Sequence, residues 1–292
     1  MSPLHRLALV FAAAVFGAGW LGNLHAIGDS LAVLRLPVAL LLFLIALWPK
    51  GRHRPTRFAA AALGTAALAA VALPYWPPAG HSDPSVTLYQ KNTWVLNRDA
   101  RPLIADILSQ DADVVTLQEI QRTGTELRAR LQETYATVHT CPVSGLARTG
   151  VVARWPAGPG THRCLPGHDL SAVQVDAPSG PLWIVSLHLK WPYPYDQKGT
   201  VDAVARALAD MDGDVLLAGD FNMVPLSDSL RRIAQASGTR RVGPAIRSYP
   251  LLNGAIGLPI DHVFAPATWT GQVERRPLLG SDHFGLLARV GP

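Results

Sequence analysis

Six segments of this chain pair an apolar run with a residue able to hold a metal ion or a phosphate. "LYQKNTW" delivers Asn92, "VVTLQEI" delivers Glu119, "IVSLHLK" delivers His188, and "LLAGDFN" delivers both Asp220 and Asn222. "IDHVF" carries Asp261 inside an apolar stretch, and "GSDHFG" sets Asp282 and His283 just before the last one. A single residue of this kind is a turn or a cap, which Asp and Asn both suit, and Asp261 taken alone admits that reading. Four carboxylates recurring at strand ends beside two histidines ask for more. A buried acid is costly unless paired or bound to metal, so these residues need a common destination at one rim of a sheet structure. Hard carboxylate and amide oxygens without thiolates fit Mg²⁺ or Mn²⁺ better than zinc. Such a rim is able to hold a divalent ion and a phosphate group.

The elements that must position them alternate. "SVTLYQKNTW" and "ADVVTLQEI" read as strands separated by the helix "DARPLIADILSQ", whose apolar residues recur at Leu103, Ile104, Ile107 and Leu108. After the helix "GTELRARLQET" come four strand-like runs, "YATVHT", "GVVARW", "SAVQVDA" and "PLWIVSLHLK". The helix "TVDAVARALADM" precedes the strand "DVLLAGDF", and the helix "LSDSLRRIAQAS" precedes "PIDHVFA", a weaker strand near "GQVERR", and "FGLLARV". Hairpin-like strands mixed with helices predict two packed mixed sheets covered by helices, an α/β sandwich. No G-x-G-x-x-G follows the first strand and no P-loop is present, which argues against a dinucleotide fold.

"LQE", "GDFN" and "SDH" in this order resemble the endonuclease/exonuclease/phosphatase superfamily, which includes pancreatic deoxyribonuclease, exonuclease III type repair enzymes, bacterial sphingomyelinases and inositol polyphosphate 5-phosphatases. The resemblance covers roughly residues 85–291 and implies a four-layer α/β sandwich. It also implies roles. Glu119 is then the principal metal-binding glutamate, with Asn92 beside metal and phosphate and Asp282 a metal-site acid. Asp220 orients or deprotonates the attacking water, and Asn222 steadies the phosphoryl oxygens. His283 contacts the phosphate, oriented by Asp261, and His188 corresponds to the strand-end histidine assigned as general acid in the deoxyribonuclease and sphingomyelinase branches. Family members often carry a "TWP"-like stretch ahead of the Asp261 strand, where this chain reads "RSYP", Arg247–Pro250. His262 alternates with Asp261 and is expected to face away from the site. His139, His162 and His168 lie outside any motif and read as surface residues.

The first 76 residues have another character. Leu7–Gly22, Ser30–Trp48 and Phe58–Trp76 are apolar stretches near the roughly 20 residues that span a bilayer. Trp20, Trp48, Tyr75 and Trp76 lie at their ends, and Arg35 sits where it could snorkel. A cleaved signal peptide at the first stretch and three core helices of a soluble domain are the competing readings. A three-helix transmembrane anchor over residues 1–76, a linker over 77–85 and a catalytic domain over 86–292 is the organisation this predicts. Lys50, Arg52, Arg54 and Arg57 crowd the second junction, while "NLHAIGDS" has no Lys or Arg. Positive charge stays cytoplasmic, which predicts a multi-pass protein of the cell membrane with its catalytic domain outside the cytoplasm.

Charge narrows the partners. The net charge is +5, from 26 Lys/Arg and 21 Asp/Glu; residues 1–80 hold six Lys/Arg and one acid, Asp29, which leaves 20 basic and 20 acidic residues from 81 onward. A neutral domain disfavours strong sequence-independent nucleic-acid binding, although Arg231–Arg232, Arg240–Arg241 and Arg275–Arg276 keep an anchored nuclease open. "KWPYPYDQ" follows His188 directly, and its Trp191, Tyr193 and Tyr195 suit either a lipid interface or packing on the domain. The layout resembles the membrane-anchored teicoplanin-resistance branch, linked to undecaprenyl phosphate lipids. The expectation is a metal-dependent phosphoesterase beside the bilayer, acting on a phosphate-containing, lipid-linked substrate, with a nuclease or a catalytically inactive binding domain as alternatives. Cys141 and Cys164 lie in no metal or redox motif. An oxidising compartment permits a bridge between them, and two buried thiols are the other reading.

Overall fold

The computed structural model describes residues 3–47, 54–76, 85–142, 148–165 and 167–292. Four helices open the chain: α1 (Pro3–Ala18), α2 (Ala26–Ala32), α3 (Arg35–Leu47) and α4 (Arg54–Ala72). The α/β part begins with β1 (Val86–Asn92), α5 (Arg101–Ser109), β2 (Val114–Ile120), α6 (Gly124–Leu131), β3 (Thr137–Pro142) and β4 (Arg148–Ala153). It continues through β5 (Arg163–Leu165), β6 (Leu170–Ala177), β7 (Gly180–His188), α7 (Gln197–Ala209), β8 (Asp214–Asp220) and α8 (Asp228–Ala236). The chain closes with β9 (Thr239–Arg241), β10 (Tyr249–Leu251), β11 (Ile256–Leu258), β12 (Asp261–Pro266), β13 (Thr270–Arg276) and β14 (Gly285–Gly291).

Two six-stranded mixed sheets form, in the orders β13-β14-β1-β2-β4-β3 and β5-β6-β7-β8-β12-β9. Period-two alternation explains how they stack. In β8, Leu216 and Ala218 face the other sheet, in the apolar layer that also holds Val86, Leu88, Val114, Ile184 and Val263. Val215 and Leu217 face outward and pack against Val201, Val204 and Leu208 of α7 and Leu230 and Ile233 of α8. On the other side, Tyr89, Val115, Leu117 and Leu287 receive Leu103, Ile104 and Ile107 of α5 and Leu127 and Leu131 of α6. The result is a mixed α/β sandwich with helices on both outer faces. Strands β5, β9, β10 and β11 were not expected from sequence: each is three residues long, too short to carry a period. Asp261 opens β12 and does not lie in its middle.

The three apolar stretches correspond to α1, to α2 with α3, and to α4. Among the described residues no single helix is long and apolar enough to cross a membrane; α2 and α3 together satisfy the length and composition, but they are bent by 61°. The break falls at Val33–Leu34, four residues ahead of Pro37, which has no N–H to bond the Val33 carbonyl and clashes with it; two buried charges anchor the bent pair. Asp29 accepts hydrogen bonds from the backbone N–H groups of Asp228 (2.8 Å) and Ser229 (2.9 Å) and from the Ser229 hydroxyl, at the start of α8. Arg35 does not snorkel. It is buried, donates to the carbonyls of Gly19 and Leu226, and lies 4.0 Å from the centre of the Trp20 ring. Lys50 and Arg52, and most of the expected 77–85 linker, fall outside the described residues. Cys141 on β3 and Cys164 on β5 form a disulfide with Cα atoms 5.5 Å apart, joining the edge strands of the two sheets.

Candidate active site

Register gathers the site. On one sheet His188 pairs with Asp220 across β7 and β8, and Asp220 pairs with Asp261 across β8 and β12, so three ionisable groups form one row at the strand tips. Gly219 makes this row possible, because a Cβ there would overlap the carbonyl oxygen of Leu187 on the neighbouring strand. On the other sheet, β1 delivers Asn92 opposite Gln118. The register of β2 slips between Leu117 and Ile120, and this irregularity aims Glu119 into the same rim. Glu119 and Asn222 hold left-handed backbone, with φ of 54° and 49°, a conformation that is costly for residues other than glycine and clusters at functional sites.

The side chains then lock one another. Asn92 donates from one amide nitrogen to Glu119 Oε1 (3.1 Å) and Asp220 Oδ2 (3.0 Å). The Val95 N–H holds Glu119 Oε2 at 3.2 Å, and the Asn222 N–H holds Asp220 Oδ1 at 2.9 Å. Asn222 is itself tied through its side-chain amide to the Leu189 carbonyl (2.8 Å) and lies 3.4 Å from His188 Nε2. His283 Nδ1 donates to Asp261 Oδ2 at 2.8 Å, and its Nε2 stands 3.7 Å from Asp220 Oδ2. His188 Nε2 is 3.7 Å from both Glu119 and Asp220, with Asp169 behind it at 3.5 Å from Nδ1. The cavity that results is about 270 Å³, lined by Glu119, His188, Asp220, Asn222, Asp282 and His283, with Lys190, Trp191, Tyr195 and Tyr249 as its lip. All of the strand-tip residues singled out in the sequence therefore converge on one rim. Trp191 is at its mouth, while His262 faces away and contacts the Met223 carbonyl at 2.8 Å.

Electrostatics follow from the packing. Burial alone would lower both histidines, but the Asp169 hydrogen bond and the Asp220 and Glu119 charges carry His188 up to about 9. Burial is likewise outweighed at His283, where Asp261 and Asp220 raise the pKa to about 10. Both rings are thus held toward the imidazolium form by the carboxylates around them. Burial pushes Asp220 up from the carboxylate range, against the pull of His283 and His188. At Asp261 burial is overcome, chiefly by His283, and the acid is held low.

The residues fit a hard divalent cation. Ligand atoms of Glu119, His188 and Asp220 lie within 4.8 Å of one another, as do those of Asp220, Asp261 and His283. Asp261 and His283 are already paired, and carboxylate oxygens suit a hard cation better than imidazole, which leaves Glu119 and Asp220, with Asp282 on the same cavity wall. Asp282 has a buried Oδ1 with no hydrogen-bond partner, and burial and the Glu119 charge raise its pKa despite His283. A cation there satisfies both the orphaned oxygen and the like-charge repulsion.

Several supporting residues carry no signal of their own in the sequence. Gln90 donates to Asp261 Oδ1 (2.8 Å) and to Gln118 (2.9 Å), and Gln118 donates to Ser186 (2.9 Å), a buried polar chain crossing between the sheets. Ser248 accepts from the Asp261 N–H at 3.1 Å, and the Tyr249 ring lies 4.9 Å from that of His283. Both belong to "RSYP", so the segment that departs from the family pattern is where a search for them would have begun.

A strand-tip rim of carboxylates, amides and two acid-backed histidines on a helix-flanked double sheet is an arrangement suited to phosphoester hydrolysis. Residues 90–283 match the endonuclease/exonuclease/phosphatase family, and the chain belongs to that family, whose enzymes act on phosphoester bonds and are typically divalent-metal dependent. Among solved structures, it is similar to an endonuclease/exonuclease/phosphatase from Beutenbergia cavernae (19% identity, TM-score 0.56, covering 71% of this chain and 72% of the other). A family protein from Leptotrichia buccalis gives 13% identity and a TM-score of 0.57 over 71% and 100%. D. rerio TDP2 complexed with single-strand DNA product gives 17% and 0.56 over 71% and 99%. A search of curated proteins finds no match.

Proposed function

We propose that this protein is a Mg²⁺- or Mn²⁺-dependent phosphoesterase held at the cell membrane by its N-terminal helices, acting outside the cytoplasm on a lipid-linked phosphate ester or pyrophosphate. The observation that carries the chemistry is the single row His188–Asp220–Asp261 with Glu119 and His283 closing on it. Glu119 and Asp282 would hold a divalent ion, which would neutralise charge on the phosphoryl group. The chain's own groups do the rest. Asp220, fixed by Asn92 and the Asn222 N–H, takes the proton from the attacking water. Asn222 steadies the phosphoryl oxygens, and the imidazolium of His283, oriented by Asp261, neutralises their charge. The imidazolium of His188, backed by Asp169, protonates the leaving oxygen.

Placement outside the cytoplasm is supported by the Cys141–Cys164 bridge, since disulfides persist in oxidising compartments. The bilayer reading is supported by the exposed Trp191 and Tyr195 at the cavity lip and the exposed Tyr193 between them in sequence; Ser30 donates to the Tyr193 carbonyl at 3.0 Å. The second reading, an anchored nuclease, takes its support from the likeness to TDP2 complexed with a DNA product. The test is a Mg²⁺-dependent panel on the full chain in detergent, with polyprenyl pyrophosphate, sphingomyelin, inositol phosphates, plasmid and single-stranded DNA. Phosphate release from the polyprenyl substrate is the expected outcome. DNA cleavage without it selects the nuclease, and no turnover with intact metal binding selects an inactive binding domain.

A further inference from the structure

A second cavity, of about 470 Å³, lies in the seam between the N-terminal helices and the sandwich. Its walls are Trp20 and Arg35 on one side, Pro74 above, and Leu226, Leu230, Ala234 and Phe264 on the other, with Asp228, Arg231, Arg240 and Arg241 around them. Four arginines therefore face one acid. Asp228 is paired with Arg231. The other three guanidinium groups are held by backbone carbonyls and not by carboxylates. Arg35 donates to Gly19 and Leu226, Arg240 to Trp269 at 2.6 and 3.0 Å, and Arg241 to Gly243 (2.9 Å) and Pro74 (3.0 Å).

A carbonyl fixes a guanidinium in place and leaves its charge uncancelled. Among the described residues none of the three has a carboxylate within 4.0 Å, where Arg231, Arg232 and Arg276 do. Evenly spread charge does not account for this, because the 20 basic and 20 acidic residues from position 81 onward balance. A cavity with apolar walls and pre-positioned, unneutralised guanidinium groups is complementary to an amphiphile with an anionic head. We infer that this seam binds one anionic phospholipid, its phosphate against Arg240 and Arg241 and an acyl chain along Trp20, Leu226, Leu230 and Phe264. The inference rests on the bilayer placement proposed above. It is separate from the catalytic rim, whose cavity shares no lining residue with this one.

The test is retention of lipid by the full chain purified in a zwitterionic detergent, read by native mass spectrometry after addition of phosphatidylglycerol or phosphatidylcholine. One phosphatidylglycerol per chain is expected, held about tenfold more tightly than phosphatidylcholine, as loss of a charge-assisted contact implies. Arg240→Gln lowers that preference while Arg240→Lys retains part of it. Ala234→Trp fills the cavity without touching the charges and lowers retention of both lipids. Turnover of a soluble phosphodiester by each variant stays at the native level, which reports an intact fold. Equal retention of the two lipids, equal competition by inorganic phosphate, or indifference to Ala234→Trp overturns the site. Because lipid retention is read without turnover, failure of the phosphoesterase reading leaves this result standing, and the converse also holds.

Discussion

Buried charge occurs in two regions of this molecule, and it is handled in opposite ways. At the seam, Asp29 and Arg35 are buried, and each is satisfied mainly by backbone: N–H groups of α8 for the acid, carbonyls of Gly19 and Leu226 for the base. At the rim, Asp220, Asp261 and His283 are buried too, but they face one another and leave an Asp282 oxygen without a partner. Backbone satisfaction fixes a charged side chain in place as a structural joint without cancelling its charge. Mutual satisfaction among ionisable groups leaves spare capacity for a proton, a cation or a phosphoryl oxygen. Buried charge by itself thus says little about function; what the charge is bonded to says more.

The contrast can be broken by substitution. Asp220→Asn keeps shape and removes the charge, so the thermal unfolding midpoint should hold while turnover falls by about 10²–10⁴-fold; native-level activity in the Asp220→Asn variant removes Asp220 from the proposed role. Glu119→Gln should raise the Mg²⁺ concentration for half-maximal activity by about ten- to a hundredfold, a range borrowed from metal-site mutations, with much of the rate recovered at saturating metal. Titration calorimetry on the same variant checks that the loss is in cation affinity.

The seam should answer differently. Asp29→Ala leaves two N–H groups at the start of α8 unpaired and should cost about 1–3 kcal/mol of stability, with turnover per folded molecule on a soluble phosphodiester unchanged. A denaturant midpoint equal to that of the native chain would show that the joint is not formed by Asp29.

A further effect is expected from pH. With metal chelated, His283 has a folded pKa of about 10, above the ordinary histidine value of about 6.5. Its pairing with Asp261 therefore contributes fully below about pH 6.5, declines as pH rises, and is lost through pH 10. Unfolding midpoints measured from pH 6 to 10.5 should fall more steeply for the native chain than for His283→Asn. Parallel curves would mean that the ion pair does not contribute.

Much of the rim was legible because it is written at strand tips. An apolar run that stops on Glu119, His188 or Asp220 announces both the strand and its exit, and "GDFN" and "SDH" carry the family resemblance. What stayed hidden is whatever depends on register or on loops. Gln90, Gln118 and Ser186 sit inside strands, where a polar residue has no direction until the sheets are stacked. Asp169 precedes β6 in a turn like many others, and reaches His188 only because β6 and β7 pair. The helices were legible as apolar lengths but not as a bent, docked pair. The one clue was that Asp29 is the single acid among the first 80 residues, and a lone carboxylate in so apolar a stretch needs a partner. That partner, the start of α8, lies some 200 positions away.

Gly219 gives the rim an unusual kind of fragility. The residue has no ionisable group, donates nothing to a phosphate and would be passed over in any inventory of reactive side chains. Yet a single added methyl group there would meet the Leu187 carbonyl and wedge β7 from β8, separating His188 from Asp220 while leaving both chemically intact. The first letter of "GDFN" is thus a tolerance specification, like the clearance between two machined parts. The reactive letters that follow function only while that clearance is kept.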